Sequence, residues 1–249
     1  MLRPLLVASV SGALAVTLAS PVLAVPAAFE VRTRAVPARA VLASPASVTD
    51  GSEAACDDGT AGGTLVQSID AYYGNRFAPV CQAARIESAR FVHYGYGLAG
   101  PYAFRLHVVD TTCGEIGVTP VLTTAGAPDL VTTAEVDLSP YGWCVSGEFL
   151  LLLEPLTCAD GPTGHDCFPA VVVDASTDGD AAAHCATVSV LAGAERQCFA
   201  ARSADGRYFD FGLRVGLQCV APECATGLED TTWSGAKRLY RDPSPASRD

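Results

Sequence analysis

RYFDFGLRVGLQ, residues 207–218, decides how the chain is read. Phe209, Phe211, Leu213, Val215 and Leu217 occupy alternate positions, with Tyr208, Asp210, Gly212, Arg214, Gly216 and Gln218 between them. Side chains alternate across a strand, so the pattern predicts a half-buried strand of an antiparallel sheet. YAFRLHVV, residues 102–109, repeats it, with Tyr102, Phe104, Leu106 and Val108 facing inward. Further strands are expected over 86–94, 131–138, 148–153, 169–174 and 187–191. Asp205-Gly206 tolerates the positive φ of a type I′ turn. It predicts a hairpin between 197–203 and 207–218, with Cys198 opposite Leu213. Short strands at this spacing predict an all-β sandwich or barrel.

Working outward, residues 1–24 read as a signal peptide. Arg3 precedes an apolar run from Leu5 to Leu18, and Val22-Leu23-Ala24 supplies the small-residue cleavage pattern. No cysteine stands at that junction, so a lipid anchor is not expected, and no later run reaches the roughly 20 apolar residues of a membrane span. Residues 25–52, rich in Ala, Pro, Val and Ser, read as a flexible leader. The β-domain is expected over 53–225. A tail, 226–249, carries a short amphipathic helix: Thr231 or Thr232 caps it, Lys237, Arg238 and Arg241 suit its C-terminal end, and Trp233, Ala236, Leu239 and Tyr240 share one face. So short a helix needs a surface to dock on, through Trp233, Leu239 and Tyr240.

Ten cysteines follow the signal: Cys56, Cys81, Cys113, Cys144, Cys158, Cys167, Cys185, Cys198, Cys219 and Cys224. An even count in an exported chain predicts a disulfide framework. Connectivity cannot be read from sequence; pairing of neighbours would give 56–81, 113–144, 158–167, 185–198 and 219–224. The net charge of −11 argues against nucleic-acid and anionic-lipid partners. A single lysine beside fifteen arginines, and a single asparagine, fit a genome rich in G and C.

Candidates for chemistry are few. Asp57, Asp58 and Asp70 could gather around a calcium ion, but Asp-Asp-Gly beside Cys56 reads first as a turn. DASTDGDAAAHC, residues 174–185, offers Asp174, Asp178 and Asp180 at calcium-loop spacing, but Cys185 stands where an EF-hand requires glutamate. No cofactor is expected beyond that calcium option. CADGPTGHDC, residues 158–167, places His165 beside Asp166, a general acid–base pairing with no nucleophile next to it. Neither Ser146 nor Ser234 sits in a nucleophile elbow. His93 and His107 read as sheet-face residues, and His184 adjoins a cysteine. Tyr72, Tyr73, Tyr94, Tyr96 and Tyr102 read mainly as packing groups, with sugar stacking as the functional option. No residue is assigned a catalytic role.

The order DDGTAGG, YGNRFAP, YAFRLHVVD, VTTAEVDLSPYGWCVSGEFLLLLEP, FPAVVVDAS and GRYFDFGLRVGL, over about residues 56–218, resembles the jelly-roll-like accessory domains of bacterial secreted multidomain proteins. VSGEFLLLLEP, residues 145–155, is the most telling element. TTWSGAKRLYR is similar to tails at the C-termini of some extracellular bacterial proteins. The resemblance implies a jelly-roll-like antiparallel β-sandwich with a binding or structural role, and transfers no site. The expectation is an exported, non-catalytic binding or structural module at the cell surface, in the periplasm or outside the cell. Its partner would be a carbohydrate or another envelope protein. The competing reading is a secreted, carbohydrate-active hydrolase or lyase using the His165-Asp166 loop or the 174–180 loop.

Overall fold

The computed structural model describes residues 28–31, 33–34, 52–56, 61–65, 71–161, 164–174, 185–192, 195–203 and 208–221. Among them are eighteen strands, numbered in chain order, one 3₁₀ turn at Ser139–Tyr141, and no α-helix. The expected C-terminal helix lies outside the described residues.

The first sheet runs, edge to edge, β1 (Ala28–Val31), β17 (Glu195–Ser203), β16 (Ala186–Ala192), β5 (Ala71–Phe77), β12 (Phe149–Pro155), β7 (Tyr102–Asp110) and β8 (Glu115–Val118), with β9 (Leu122–Thr124) also on β7. The second runs β2 (Thr33–Arg34), β4 (Ala61–Leu65), β15 (Ala170–Asp174), β6 (Ala84–Tyr94), β18 (Leu213–Cys219) and β3 (Ser52–Ala54), with β10 (Val131–Asp137) and β11 (Cys144–Val145) also on β6. Pairing is antiparallel except where β1 lies parallel to β17. The chain alternates between the sheets, β5 to β6 to β7 and β15 to β16, the connection habit of a double-sheet roll. β13 (Thr157–Gly161) and β14 (Gly164–Phe168) form a separate hairpin. Two short strands from the stretch expected as leader, β1 and β2, add to one edge of each sheet.

The other expected strands form, but 207–218 becomes a strand only from Leu213, with Tyr208 and Phe211 in isolated bridges; the period-two logic holds on the inner face. Phe209, Phe211, Leu213, Val215 and Leu217 join Phe104, Leu106 and Val108 in one core between the sheets. The outer side of 207–218 departs from expectation: Asp210 and Arg214 are buried as well. The Asp205-Gly206 hairpin also departs. β17 belongs to the first sheet and β18 to the second; an isolated bridge, Arg202 to Tyr208, pairs the two arms, and Cys198 faces Ser189 rather than Leu213. Turn chemistry specifies a reversal but not which sheet receives the outgoing strand. Here Phe209 and Phe211 carry it across the core. Residues 204–207 themselves lie outside the described residues.

Disulfides join Cys56 to Cys185, Cys81 to Cys219, Cys113 to Cys198 and Cys158 to Cys167. Neighbour pairing is borne out only for 158–167, where the two cysteines face each other across the β13–β14 hairpin. The 56–81, 113–144, 185–198 and 219–224 pairings do not form, because a chain that alternates between sheets carries consecutive cysteines apart. Cys144 is bonded too, and Cys224 lies outside the described residues. Disulfides in this number belong to an oxidising compartment. Among the described residues, no helix is long and apolar enough to cross a membrane.

Candidate functional site

Strand register lays out the outer face of the first sheet as rows. One row runs Cys198, Ser189, Tyr72 across β17, β16 and β5 and, with the β5–β12 register continued by one residue, Glu154 and Arg105 on β12 and β7. Continuing the β9 register by one residue adds Val121 opposite Arg105. The next row runs Thr187, Gly74, Leu152, His107, Val118. On the other side of the first row stand Arg196 and Leu191, which face each other, and Leu156, whose N–H donates to the Ala103 carbonyl.

Residues from five strands meet at the centre. His107 Nε2 lies 3.0 Å from a Glu154 carboxylate oxygen, and His107 Nδ1 lies 3.4 Å from Glu115. Arg105 approaches the same Glu154 oxygen at 3.4 Å. The His107 ring stacks on Tyr72 with centroids 4.4 Å apart and planes inclined by 20°. From the β17 side of the same face, the Arg196 guanidinium stands 3.3 Å over the Tyr72 ring, a cation–π contact. Leu150, Leu152 and Val109 form an apolar floor beside Tyr72 and Cys198, and the Cys113–Cys198 disulfide spans this face from the β7–β8 turn to β17.

The electrostatics follow from the packing. Burial pushes the Glu154 carboxyl up, but hydrogen bonds from His107 and Tyr72 and the charges of His107 and Arg105 outweigh it, leaving Glu154 below its ordinary value. Burial, with the Glu154 charge beside it, pushes the Tyr72 hydroxyl up. Glu154 is thus an ionised acceptor and Tyr72 a neutral donor. This pairing holds the Tyr72 hydroxyl on the Glu154 carboxylate.

The sequence-derived candidates scatter. Asp174 is buried in β15, where its N–H donates to the Asp210 carbonyl at 2.7 Å. Asp178 and Asp180 lie outside the described residues, as do Asp57, Asp58, Asp70, His184, Ser234, Trp233, Leu239 and Tyr240. His165 pairs with Asp160 along the β13–β14 ladder, and Asp166 is buried. Ser146 is exposed in the turn before β12. Cys56, Cys185 and Asp210 converge within 4.8 Å. The two sulfurs are bonded to each other, and Asp210 accepts the Cys185 N–H at 2.6 Å, so the trio lacks the thiolates a metal would need.

His93 points into the core. Its Nε2 lies 3.3 Å from Thr124 Oγ1, Nδ1 has no partner among the described residues, and burial pushes the imidazole down to about 4. Tyr73 and Tyr102 are core residues, and Tyr94 and Tyr96 meet edge to face. The outer-face cluster was not singled out from sequence, although Arg105 and His107 stand at the outward positions of 102–109. LLLLEP conceals Glu154, because β12 is apolar on both faces.

No family model matches the chain, and comparison with curated proteins and with solved structures gives no match.

Proposed function

We propose that the protein is an exported, non-catalytic binding or structural module. The observation that carries this reading is the outer face of the first sheet. Its ionisable groups are committed to one another, on a sheet tied across by Cys113–Cys198, while apolar residues remain open to solvent around them. Groups held in one geometry before a partner arrives lower the ordering cost of association. The same commitment disfavours acid–base catalysis, which needs a group free to exchange its proton with substrate. The signal-like residues 1–24 and the disulfides support export. A carbohydrate or another envelope protein is the class of partner.

The test is a thermal melt of the oxidised mature protein against a panel of soluble oligosaccharides, with and without millimolar calcium and then EDTA. A ligand selective for the native state raises the midpoint by mass action. A rise with one oligosaccharide class, with that oligosaccharide recovered intact, supports a binding module. Release of reducing ends from the same panel would overturn it in favour of the hydrolase or lyase reading. A calcium-dependent rise would support a calcium site at the 174–180 loop or at Asp57–Asp58.

A further inference from the structure

Every cysteine among the described residues is bonded. Eight of them close the four bonds given above, and Cys144 is bonded outside those pairs. Of the ten cysteines in the chain, Cys224 is the one that remains. We propose that Cys144 and Cys224 form a fifth disulfide, which straps the C-terminal end of the domain across the start of β6.

Strand register puts the two ends of this strap within reach of each other. Cys144 of β11 stands opposite Arg85, and on the other side of β6 Arg85 stands opposite Gln218 of β18. Cys144 and Gln218 are therefore two strand spacings apart, about 10 Å. Past Cys219, the Val220 N–H donates to the Ala83 carbonyl at 3.1 Å, so the chain leaves β18 alongside the first residues of β6. From Cys219 to Cys224 the chain can extend about 17 Å. A disulfide needs Cα atoms about 5.5–6 Å apart, which that reach allows. The side of the sheet is set as well. Trp143 and Val145 enter the core between the sheets, so Cys144 between them faces the outside of the second sheet. It is buried there although β11 is two residues long and pairs with β6 alone among the described strands. A bonded partner arriving from β18 supplies the cover. The chain beyond residue 224 then starts from the outer side of the second sheet, across the sandwich from the Tyr72 cluster.

Forming the bond removes two electrons and two protons from the two thiols. A disulfide-bearing oxidant of the exporting compartment accepts them through thiol–disulfide exchange and leaves as its dithiol. The test is disulfide mapping of the full mature protein, unreduced, blocked with N-ethylmaleimide and cut after glutamate. That cut isolates Cys144 in 136–148 and Cys224 in 224–229, each as the one cysteine of its peptide. The two peptides should run as a single species that reduction splits into both. In denaturant the unaltered protein should show no free thiol, and Cys144→Ser should show one per chain, at Cys224. If Cys144→Ser does not fold, Cys224→Ser should instead release one thiol, at Cys144. Joining of 224–229 to any other peptide, a second copy of itself included, would overturn the proposal. So would an unpaired Cys224 in the unaltered protein, or a Cys144 that stays bonded in Cys224→Ser.

Discussion

β5, β12 and β7 build two different environments from alternate residues of the same strands. Tyr73, Leu151, Leu153, Leu106 and Val108 face the second sheet and are sealed from solvent. Tyr72, Leu152, Glu154, Arg105 and His107 face outward and are held by a mixture of packing, ring stacking and charged hydrogen bonds. The inner side works by volume, and any residue of the right size and apolarity serves it. The outer side works by partnership, since Glu154 has meaning only beside His107, Tyr72 and Arg105. The two halves of each strand should therefore respond differently to the same kind of damage.

The largest difference should come from truncation. Phe211→Ala removes a fully buried ring packed against Tyr73 and Phe209, and should cost about 3–5 kcal/mol in denaturant unfolding. Next, replacing Cys81 and Cys219 together by serine releases the closure between the β5–β6 turn and the end of β18. It should cost about 2–4 kcal/mol.

Acid should separate the two sides without any large change of volume. His93, on the inner side, titrates near 6.5 when unfolded and at about 4 when folded, so the native state favours its neutral form. Its contribution is complete above pH 6.5 and is lost as the pH falls from 6.5 toward 4, a loss on the order of 3 kcal/mol. Stability measured over that range should fall less steeply in His93→Phe. Glu154, on the outer side, is held below its ordinary value, so its contribution persists above the unfolded carboxylate range and is lost only as the pH falls through the lowered folded value. Glu154→Gln should cost about 1–2 kcal/mol at pH 7. If it cost as much as Phe211→Ala, the contrast between the two sides would fail. The smallest effect belongs to Arg196→Ala, about 0.5–1 kcal/mol through the lost contact with the Tyr72 ring.

The same contrast explains how much could be read from the chain itself. Apolar alternation at 102–108 and 209–217 carries the inner face, because burial needs only period and hydrophobicity. That was enough for the sandwich and its central strands. Long-range pairing was not legible. Nothing local to Cys56 indicates Cys185, and Asp205-Gly206 signals a reversal without indicating that the next strand joins the other sheet. The outer-face cluster draws Tyr72, Arg105, His107, Glu115, Glu154 and Arg196 from five strands whose order only the fold supplies. Glu154 was further hidden by leucines buried on both sides of β12.

The crossed disulfides also determine what a broken backbone would do. Cys56–Cys185 and Cys81–Cys219 overlap along the chain, so between them they span every peptide bond from residue 56 to residue 219. A protease that severs one exposed loop within that stretch cannot release a fragment, because both pieces stay covalently joined until the sulfurs are reduced. Around proteases, a single cut is then a scar the protein carries and not the end of the molecule.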